Sequence, residues 1–239
     1  MLMNKLLLSL LLSFSTSLFA GTITAQSWIL ADGTGTTIES KNQTEQRSIG
    51  SITKLVTAMV VLDSNLDLNE LIGIYTRRQL IQLALIKSDN KAAITLCDNY
   101  RGGKTACINA MNAKAHDLEM YNTKFVEASG LSVMNVSTAT DLIKLVQSAQ
   151  HYPEIVSASQ TGSLKIRGKK RTLTVNNTNP LVTKLTTQFL VSKTGFLNRA
   201  GGCIVMMIDT IGGRRIVVLL GSKNTRTRIP EAQSILHIN

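Results

Sequence analysis

Several residue types are scarce in this chain, and each scarcity argues against a class of protein. The 239 residues include three prolines and no Ser/Gly-rich tract, so no obvious linker divides the sequence into domains. Aromatic residues make up 4%, and no basic run alternates with stacking side chains, which disfavours binding to nucleic acid. The three histidines, His116, His151 and His237, lack the spacing of metal ligands. We therefore expect no metal site and no cofactor.

Cysteine is scarce as well, with three residues in the chain. None has a histidine nearby in the sequence, so we do not expect a cysteine nucleophile. Cys97 and Cys107 lie near the facing ends of two predicted helices, and a helical hairpin can bring such residues within disulfide range. The sequence leaves open whether they form the bond. Cys203 lies in an apolar strand and is expected to be a small buried hydrophobic residue.

The N-terminal residues have the pattern of a secretory signal peptide. Lys5 supplies the positive start, residues 6–19 are apolar with scattered Ser and Thr, and Ala20 is a small residue at the end. The apolar stretch contains no cysteine for a lipid and is shorter than the roughly 20 residues of a membrane-spanning helix. We predict a signal peptide over residues 1–20 and one exported, periplasmic domain over residues 21–239. No stable membrane anchor is expected, and an uncleaved anchor is the alternative.

Positive charge is in excess. The chain has 26 basic and 15 acidic side chains, a net charge of +11. This excess favours an anionic partner such as a cell-wall or lipopolysaccharide polymer, and general solubility is the competing interpretation. The densest basic cluster, residues 165–171, is expected to be a solvated loop.

Three short signatures occur in order along the chain. Residues 51–54 read SITK, residues 88–90 read SDN and residues 193–195 read KTG. Each signature alone fits a plain structural role, as a helix cap, a turn or a strand end. S-x-x-K recurs at residues 88–91, and S-x-N recurs at residues 40–42 and 222–224. KTG occurs once, and the ordered trio is difficult to attribute to chance.

Hydrophobic spacing assigns the signatures to elements. Apolar residues recur at helical intervals over residues 51–63, so Ser51 begins a largely buried helix and Lys54 follows one turn later on the same face. Ser88 and Asn90 are two residues apart, so they meet at one site only from a turn or loop. The KTG signature is expected where a strand begins.

The remaining pattern predicts strands at both chain ends and helices between them. One sheet built from both ends and covered by helices is an α+β fold. The predicted hairpin joins residues 26–31 and 36–40, and later strands span 202–209 and 214–221. The predicted helices span 77–86, 91–100, 105–118 and 137–150, with Ser137 as the N-cap of the last, and a closing helix spans 230–237.

The residue types in the signatures are those of a serine hydrolase with a lysine base. A serine hydroxyl is a poor nucleophile until a base accepts its proton. Lys54 can accept the proton of Ser51 only if its pKa is lowered by about three units, so that it is neutral near pH 7. Burial lowers a lysine pKa and a neighbouring cation lowers it further. We expect Lys193 to be that cation.

The other signature residues have predicted roles around this pair. Ser88 is expected to relay the proton to the leaving amine, and Asn90 to orient the substrate and Lys54. Lys193 and Thr194 are expected to meet a carboxylate of the substrate.

The backbone near the nucleophile has predicted roles too. The N–H groups of Ser51 and Phe196 are the candidate donors to an oxyanion. Gly195 is expected to leave room for a substrate backbone at the edge of its strand.

The chain resembles the serine D-alanyl-D-alanine peptidases, and most of all the penicillin-binding protein 7 type of D-alanyl-D-alanine endopeptidase. The trio S-x-x-K, S-D-N and K-T-G is typical of penicillin-binding proteins and class A β-lactamases. The resemblance extends over nearly all of residues 21–239. Its similar stretches are residues 51–63 (SITKLVTAMVVLD), 82–93 (QLALIKSDNKAA), 111–115 (MNAKA), 125–131 (FVEASGL), 135–141 (NVSTATD), 176–182 (NNTNPLV) and 192–203 (SKTGFLNRAGGC).

This resemblance implies a β-lactamase/DD-peptidase-like fold, with a helical subdomain beside a five-stranded antiparallel sheet. It also implies a catalytic domain over residues 21–239 that forms a covalent acyl-serine intermediate. Peptidoglycan stem peptides are the implied substrates, and β-lactam antibiotics the implied covalent inhibitors. The roles given above are implied for Ser51, Lys54, Ser88, Asn90, Lys193, Thr194 and Gly195.

The resemblance leaves several functions to be distinguished. Hydrolysis of D-alanyl bonds in peptidoglycan cross-links is the leading expectation, since the chain stops soon after its last strand and lacks the C-terminal β domain and anchor of some carboxypeptidase relatives. The alternatives are a carboxypeptidase that trims stem pentapeptides and a catalytically silent penicillin- or cell-wall-binding module. A β-lactamase needs a deacylating base, and Glu154 lacks a convincing context. The segment between Asp63 and Tyr75 is shorter than the family pattern, which bears on substrate preference.

Overall fold

The computed structural model describes residues 23–168 and 172–238. The predicted signal peptide, residues 1–20, lies outside the described residues, as do residues 169–171 of the basic cluster. The strands are β1 (Ser27–Asp32), β2 (Thr37–Lys41), β3 (Arg47–Ser48), β4 (Leu71–Ile72), β5 (Tyr75–Thr76), β6 (Val136–Ser137), β7 (Ser163–Arg167), β8 (Thr172–Asn176), β9 (Phe189–Leu197), β10 (Gly201–Thr210) and β11 (Gly213–Ser222). The helices are α1 (Thr53–Asp63), α2 (Arg77–Ile86), α3 (Asn90–Asp98), α4 (Gly103–Asp117), α5 (Ala139–Ala149), α6 (Pro153–Gln160), α7 (Leu181–Lys184) and α8 (Arg228–Leu236).

Both ends of the described chain contribute to one five-stranded antiparallel sheet, in the order β2-β1-β11-β10-β9. The first hairpin forms because Asp32 accepts hydrogen bonds from the N–H groups of Thr34 and Thr36, which close its turn. β1 then pairs along its whole length with β11, from Ser27 opposite Leu220 onward. β9, which carries the KTG signature, is an outer strand of the sheet. The predicted α+β class and the sheet built from both ends are confirmed.

The two faces of this sheet pack against different layers. Ile29 faces a large core shared with the helical part, whereas its neighbours Trp28 and Leu30 face a smaller core that includes α8. This alternation follows from the two-residue period of a strand. Helix α1 lies in the centre of the large core, and nine of its eleven residues are buried. A helix buried on all sides needs apolar residues around its circumference, which agrees with its sequence.

Capping side chains set the helix boundaries near the site. Thr76 and Gln79 form a reciprocal capping box at the start of α2. The side chain of Asp89 accepts a hydrogen bond from the N–H of Ala92 and begins α3. The predicted helices over this part of the chain therefore agree with the observed ones to within two residues.

One predicted cap is wrong. Ser137 pairs with Arg47 in the short β3–β6 ladder, so the chain is still extended at that position. Thr138 is the residue that caps α5, because its hydroxyl accepts a hydrogen bond from the N–H of Asp141 at 3.0 Å. Competition from the strand thus moves the cap by one residue.

Cys97 and Cys107 form a disulfide that joins α3 to α4. The sequence left this bond open, and the tight Arg101-Gly102 turn between the helices brings the two cysteines together. Cys203 is a buried free thiol in β10, as predicted. Within residues 23–168 and 172–238, no helix combines the length and apolar character needed to cross a bilayer.

Candidate active site

Ser51 lies in a single turn of 3₁₀ helix, residues 50–52, that leads into α1. The loop at Gly130 presses on this turn so closely that an added Cβ would lie 2.0 Å from the carbonyl oxygen of Gly50. Gly130 has a φ of +81° and Gly50 a φ of +52°, both in the region that favours glycine. These two glycines allow the turn at Gly50, the loop at Gly130 and strand β9 at Phe196 to meet around Ser51.

Lys54 lies one turn after Ser51 and is completely buried. Its Nζ lies 2.6 Å from Ser51 Oγ, 2.7 Å from Asn90 Oδ1 and 2.5 Å from the carbonyl oxygen of Ser129. A lysine nitrogen has three positions for hydrogen bonds, and all three are occupied. The predicted pairing of Ser51 with Lys54 is therefore present in the structure.

The SDN signature reaches the same place from the junction of α2 and α3. Ser88 has a left-handed backbone, with a φ of +60°, which turns the chain sharply between the two helices. Its hydroxyl accepts a hydrogen bond from Lys193 Nζ at 2.9 Å. Asn90 is the first residue of α3, and its side chain contacts Lys54. Ser88 and Asn90 thus converge from a turn, as their spacing requires.

The KTG signature lies within the outer strand β9 and not at its start, where the sequence analysis had predicted it, because the strand already begins at Phe189. It faces the SITK and SDN signatures. Lys193 is buried, and its Nζ also donates to the carbonyl oxygen of Thr194 at 3.0 Å. The hydroxyl of Thr194 lies 2.6 Å from that of Thr178. The structure therefore brings Ser51, Lys54, Ser88, Asn90 and Lys193 into one connected cluster.

The pKa values of both lysines are lowered. Burial lowers the pKa of Lys54 from 10.5 to about 8, against the opposing effect of the Glu127 and Asp89 carboxylates. Burial also lowers the pKa of Lys193 well below its usual range, with further lowering from the nearby charges of Lys54 and Arg228. Burial is the main cause of the lowered pKa of Lys54, as the sequence analysis expected, whereas the further lowering by a neighbouring cation acts on the pKa of Lys193. Repulsion between the two ammonium groups is mutual, so both cannot easily be protonated at once.

Gly195 has a closer steric constraint than the sequence suggested. An added Cβ would lie 2.7 Å from the carbonyl oxygen of Ile49 and 3.1 Å from the backbone nitrogen of Ser51. It would therefore collide with the turn that carries Ser51. On the same turn, a Cβ at Gly50 would lie 3.2 Å from the backbone nitrogen of Phe196. The backbone nitrogen of Phe196 thus lies beside the turn that contains the backbone nitrogen of Ser51.

Sequence reasoning missed the residues that shape the loop beside Lys54. The Glu127 carboxylate accepts hydrogen bonds from the N–H and hydroxyl of Ser129, the N–H of Gly130 and the Asn135 amide, at 2.5–2.9 Å. The buried Asn135 amide also donates to the Thr53 hydroxyl on α1. This network fixes the carbonyl of Ser129 that contacts Lys54. The FVEASGL and NVSTATD stretches contained Glu127, Ser129 and Asn135, but nothing in their spacing indicated the contacts.

Arg228 was missed as well. It lies at the start of α8, is almost completely buried, and donates from Nη1 to the carbonyl oxygen of Gly195 at 2.7 Å. Its Nε is buried without a hydrogen-bond partner among the described residues. A charged TRTR stretch before a helix gave no signal that this side chain would reach β9.

Glu154 does not join the cluster. Its carboxylate forms an ion pair with Arg78 at 2.8 Å, beside a cavity of about 290 Å³ between α2 and α6. None of the residues lining that cavity belongs to the three signatures. This geometry gives no support to Glu154 as a deacylating base.

The sequence matches a family described as D-alanyl-D-alanine carboxypeptidase over residues 14–74 and 70–224. The two matched segments meet at residues 70–74, inside the stretch that the sequence predicts to be shortened. The D-alanyl-D-alanine endopeptidase of Pseudomonas aeruginosa is 43% identical over 195 residues, or 72% of this chain and 63% of that protein. The D-alanyl-D-alanine endopeptidase of Escherichia coli is 43% identical over 67% of this chain and 59% of that protein.

The fold of this chain is also similar to solved structures. The DD-transpeptidase of Streptomyces K15 superposes with a TM-score of 0.84 at 29% identity, covering 91% of this chain and 97% of that one. Penicillin-binding protein D2 from Listeria monocytogenes, in its cefotaxime-bound form, has the same fold at a TM-score of 0.82 and 24% identity. It covers 90% of this chain and 97% of that one. The chain spans under two thirds of the length of the Pseudomonas and Escherichia relatives.

Proposed function

Since the chain belongs to the D-alanyl-D-alanine carboxypeptidase family of serine peptidases, we propose that it hydrolyses D-alanyl peptide bonds in peptidoglycan cross-links through an acyl-serine intermediate. The relatives of 43% identity are both named D-alanyl-D-alanine endopeptidase, which supports cleavage of cross-links. Peptidoglycan stem peptides are the proposed substrates, and β-lactams the proposed covalent inhibitors.

One observation carries the proposal most directly, namely the set of atoms around Lys54 Nζ. A neutral amine has two N–H groups and one lone pair. The Asn90 oxygen and the Ser129 carbonyl oxygen are both acceptors, so they take the two N–H groups. The lone pair is then left for the third neighbour, the hydroxyl of Ser51 at 2.6 Å. This arrangement supports Lys54 as the base that activates Ser51.

The proposed reaction starts when Lys54 Nζ takes the proton of the Ser51 hydroxyl. The serine oxygen then attacks the D-alanyl carbonyl carbon, and the backbone N–H groups of Ser51 and Phe196 stabilise the developing oxyanion. Ser88, hydrogen-bonded to Lys193, gives its hydroxyl proton to the leaving amine as the C–N bond breaks and receives in turn the proton that Lys54 took from Ser51, so that Lys54 is neutral again. Water then hydrolyses the acyl-serine, releasing the carboxylic acid and restoring the hydroxyl.

The substrate is held by the groups that face this path. Asn90 is placed to orient both the substrate and Lys54. The Lys193 amine and the Thr194 hydroxyl are placed to donate hydrogen bonds to a substrate carboxylate. Gly195 keeps β9 close to the nucleophile turn, so that a substrate lying along the strand has its carbonyl near Ser51.

We place this activity outside the cytoplasm, in the periplasm, after export by the predicted signal peptide. The disulfide between Cys97 and Cys107 supports this location, since such bonds persist in oxidising compartments.

A fluorescent penicillin tests the catalytic assignment. Wild type should be labelled covalently, and Ser51→Ala should fold without labelling. Lys54→Arg should also fold but fail to acylate, because arginine does not release its proton at neutral pH. Lys91→Arg is the matched control, since Lys91 is exposed and completes the second S-x-x-K; it should label normally. Normal labelling of Lys54→Arg contradicts Lys54 as the base. A folded but unlabelled wild type favours a silent binding module.

A carboxypeptidase is the second candidate, because the matched family carries that description and a Streptomyces relative of 30% identity is named D-alanyl-D-alanine carboxypeptidase. Purified muropeptides separate the two activities. Conversion of cross-linked dimers to monomers is the expected result. Loss of one alanine from a pentapeptide, with dimers left intact, favours the carboxypeptidase.

A further inference from the structure

Four exposed cations lie at one end of the five-stranded sheet. Lys41 ends β2, Arg199 lies in the turn between β9 and β10, and Lys223 and Arg226 follow β11. The register places these strand ends side by side. Gly201 pairs with Leu197, Gly202 pairs with Ser222, and the N–H of Lys223 donates to Thr24 just before β1. We call Lys41, Arg199, Lys223 and Arg226 the basic end.

The charge of the basic end is not neutralised by its surroundings. Among the residues that the structure describes, none of its four cations takes part in an ion pair. Glu39 lies two residues before Lys41 on the exposed strand β2 and leaves the four cations in excess. Two further acidic side chains are otherwise engaged. Glu45 pairs with Arg47, and the buried Glu231 accepts hydrogen bonds from Thr24 and the N–H of Ala25. The surface is therefore positive and free to attract an anion.

The basic end also adjoins the nucleophile. Gly195, whose added Cβ would lie 3.1 Å from the Ser51 nitrogen, precedes Arg199 by four residues on the same strand and turn. Arg228, two residues after Arg226, donates to the carbonyl oxygen of Gly195. At about 3.4 Å per residue of extended chain, the four residues from Gly195 to Arg199 span at most about 14 Å, so the basic end begins close to the serine. The four cations stay outside the cluster of Ser51 and the two buried lysines.

We propose that the basic end binds free carboxylates of a peptidoglycan polymer while one of its cross-links occupies the site at Ser51. This proposal rests on the proposed function and adds a second attachment point for the same substrate. Strands of a sheet lie about 4.8 Å apart, so the surface from β2 to β9 extends about 19 Å. A surface of that width contacts a polymer at several of its carboxylates, whereas a short peptide reaches only the nucleophile.

Sedimentation with isolated peptidoglycan sacculi tests this surface. The test variant is Lys223→Glu with Arg226→Glu, and the matched control is Lys104→Glu with Lys165→Glu. The control residues are also exposed, lie on α4 and β7, and change the net charge equally. At about 50 mM salt we expect the test variant to bind sacculi about tenfold more weakly than wild type, and the control to stay within about twofold. Sacculi whose carboxylates have been amidated should bind wild type and test variant equally.

Small substrates separate this proposal from the proposed function. The test variant should keep wild-type rates of penicillin acylation and of cleavage of a soluble cross-linked dimer. If penicillin does not label wild type, the catalytic proposal is overturned. The comparison of binding to sacculi would still decide the role of the basic end. Equal binding of wild type and test variant to unmodified sacculi overturns the inference. A binding defect of the same size in the control variant also overturns the inference. So does binding to phosphatidylglycerol vesicles that depends on the basic end, if wild type does not bind sacculi.

Discussion

The pKa of Lys54 makes the rate of acylation depend steeply on pH. If neutral Lys54 is the base and its pKa is about 8, the reactive fraction is about one tenth at pH 7, one half at pH 8 and nine tenths at pH 9. The rate should therefore rise about fivefold from pH 7 to 8 and less than about twofold from pH 8 to 9. Below pH 7 it should fall about tenfold per unit.

The assay is the second-order rate constant for acylation by a fluorescent penicillin, measured in stopped flow from pH 6 to 10. Thermal melts at each pH exclude unfolding as the cause of any change. A rate that does not vary over this range would refute the reasoning. An acylation rate that continues to rise to pH 10 would also refute it, because Lys54 would then have its ordinary pKa.

Replacement of Glu127 tests whether the rising limb of the pH–rate profile reports the deprotonation of Lys54. The charged groups facing Lys54 are Glu127 and Asp89, which raise its pKa, and Lys193, which opposes a second positive charge. Glu127→Gln removes one of the raising charges, so the limb should move to lower pH. Glu39→Gln, on the exposed strand β2, makes the same change in net charge and should leave the limb in place. A limb that moves upward in Glu127→Gln contradicts the assignment.

Three further predictions concern packing and the cysteines. Gly130→Ala should lower the free energy of unfolding by about 2 kcal/mol more than Gly73→Ala in urea titrations. Both glycines have positive φ, but only the first adds a Cβ that collides with Gly50, and equal losses would contradict the clash. Replacing both Cys97 and Cys107 by alanine should cost about 3 kcal/mol of unfolding free energy, because the bridge closes a short loop; a reductant should cost wild type as much and the double variant nothing. Cys203 should react with a thiol reagent at pH 8 only after denaturation, since burial raises its pKa to about 11; fast reaction of the native protein would contradict its burial.

Patterns within single elements predicted much of the fold. The apolar spacing of α1 and the boundaries of α2 depend on residues close in sequence, and both agree with the structure. The Ser137 cap was wrong because a distant strand, β3, holds that residue in extended conformation. Local propensity carried no information about that pairing, which joins residues some 90 positions apart.

The site, like the fold, was predictable only where residues close in sequence determine it. The three signatures indicated which side chains would meet, since S-x-x-K, S-D-N and K-T-G occur in the order typical of penicillin-binding proteins. The environment that tunes them was not predictable. Glu127 and Arg228 reach the cluster through tertiary packing, and no sequence spacing relates them to Lys54 or Lys193.

The burial that lowers the pKa of Lys54, the proposed base, comes from the assembly of separate layers. Lowering its pKa from 10.5 to about 8 corresponds to roughly 3 kcal/mol against the charged form. No segment on its own excludes enough water to impose this penalty. Helix α1 carries Lys54, the loop at Ser129 and the start of α3 cover its nitrogen, and the close approaches at Gly130 and Gly195 bring that loop and β9 against the nucleophile turn. If Lys54 is the base, Ser51 becomes reactive only when the helical part and the sheet are packed together. A variant that loosens this contact should then lose acylation before it loses the fold.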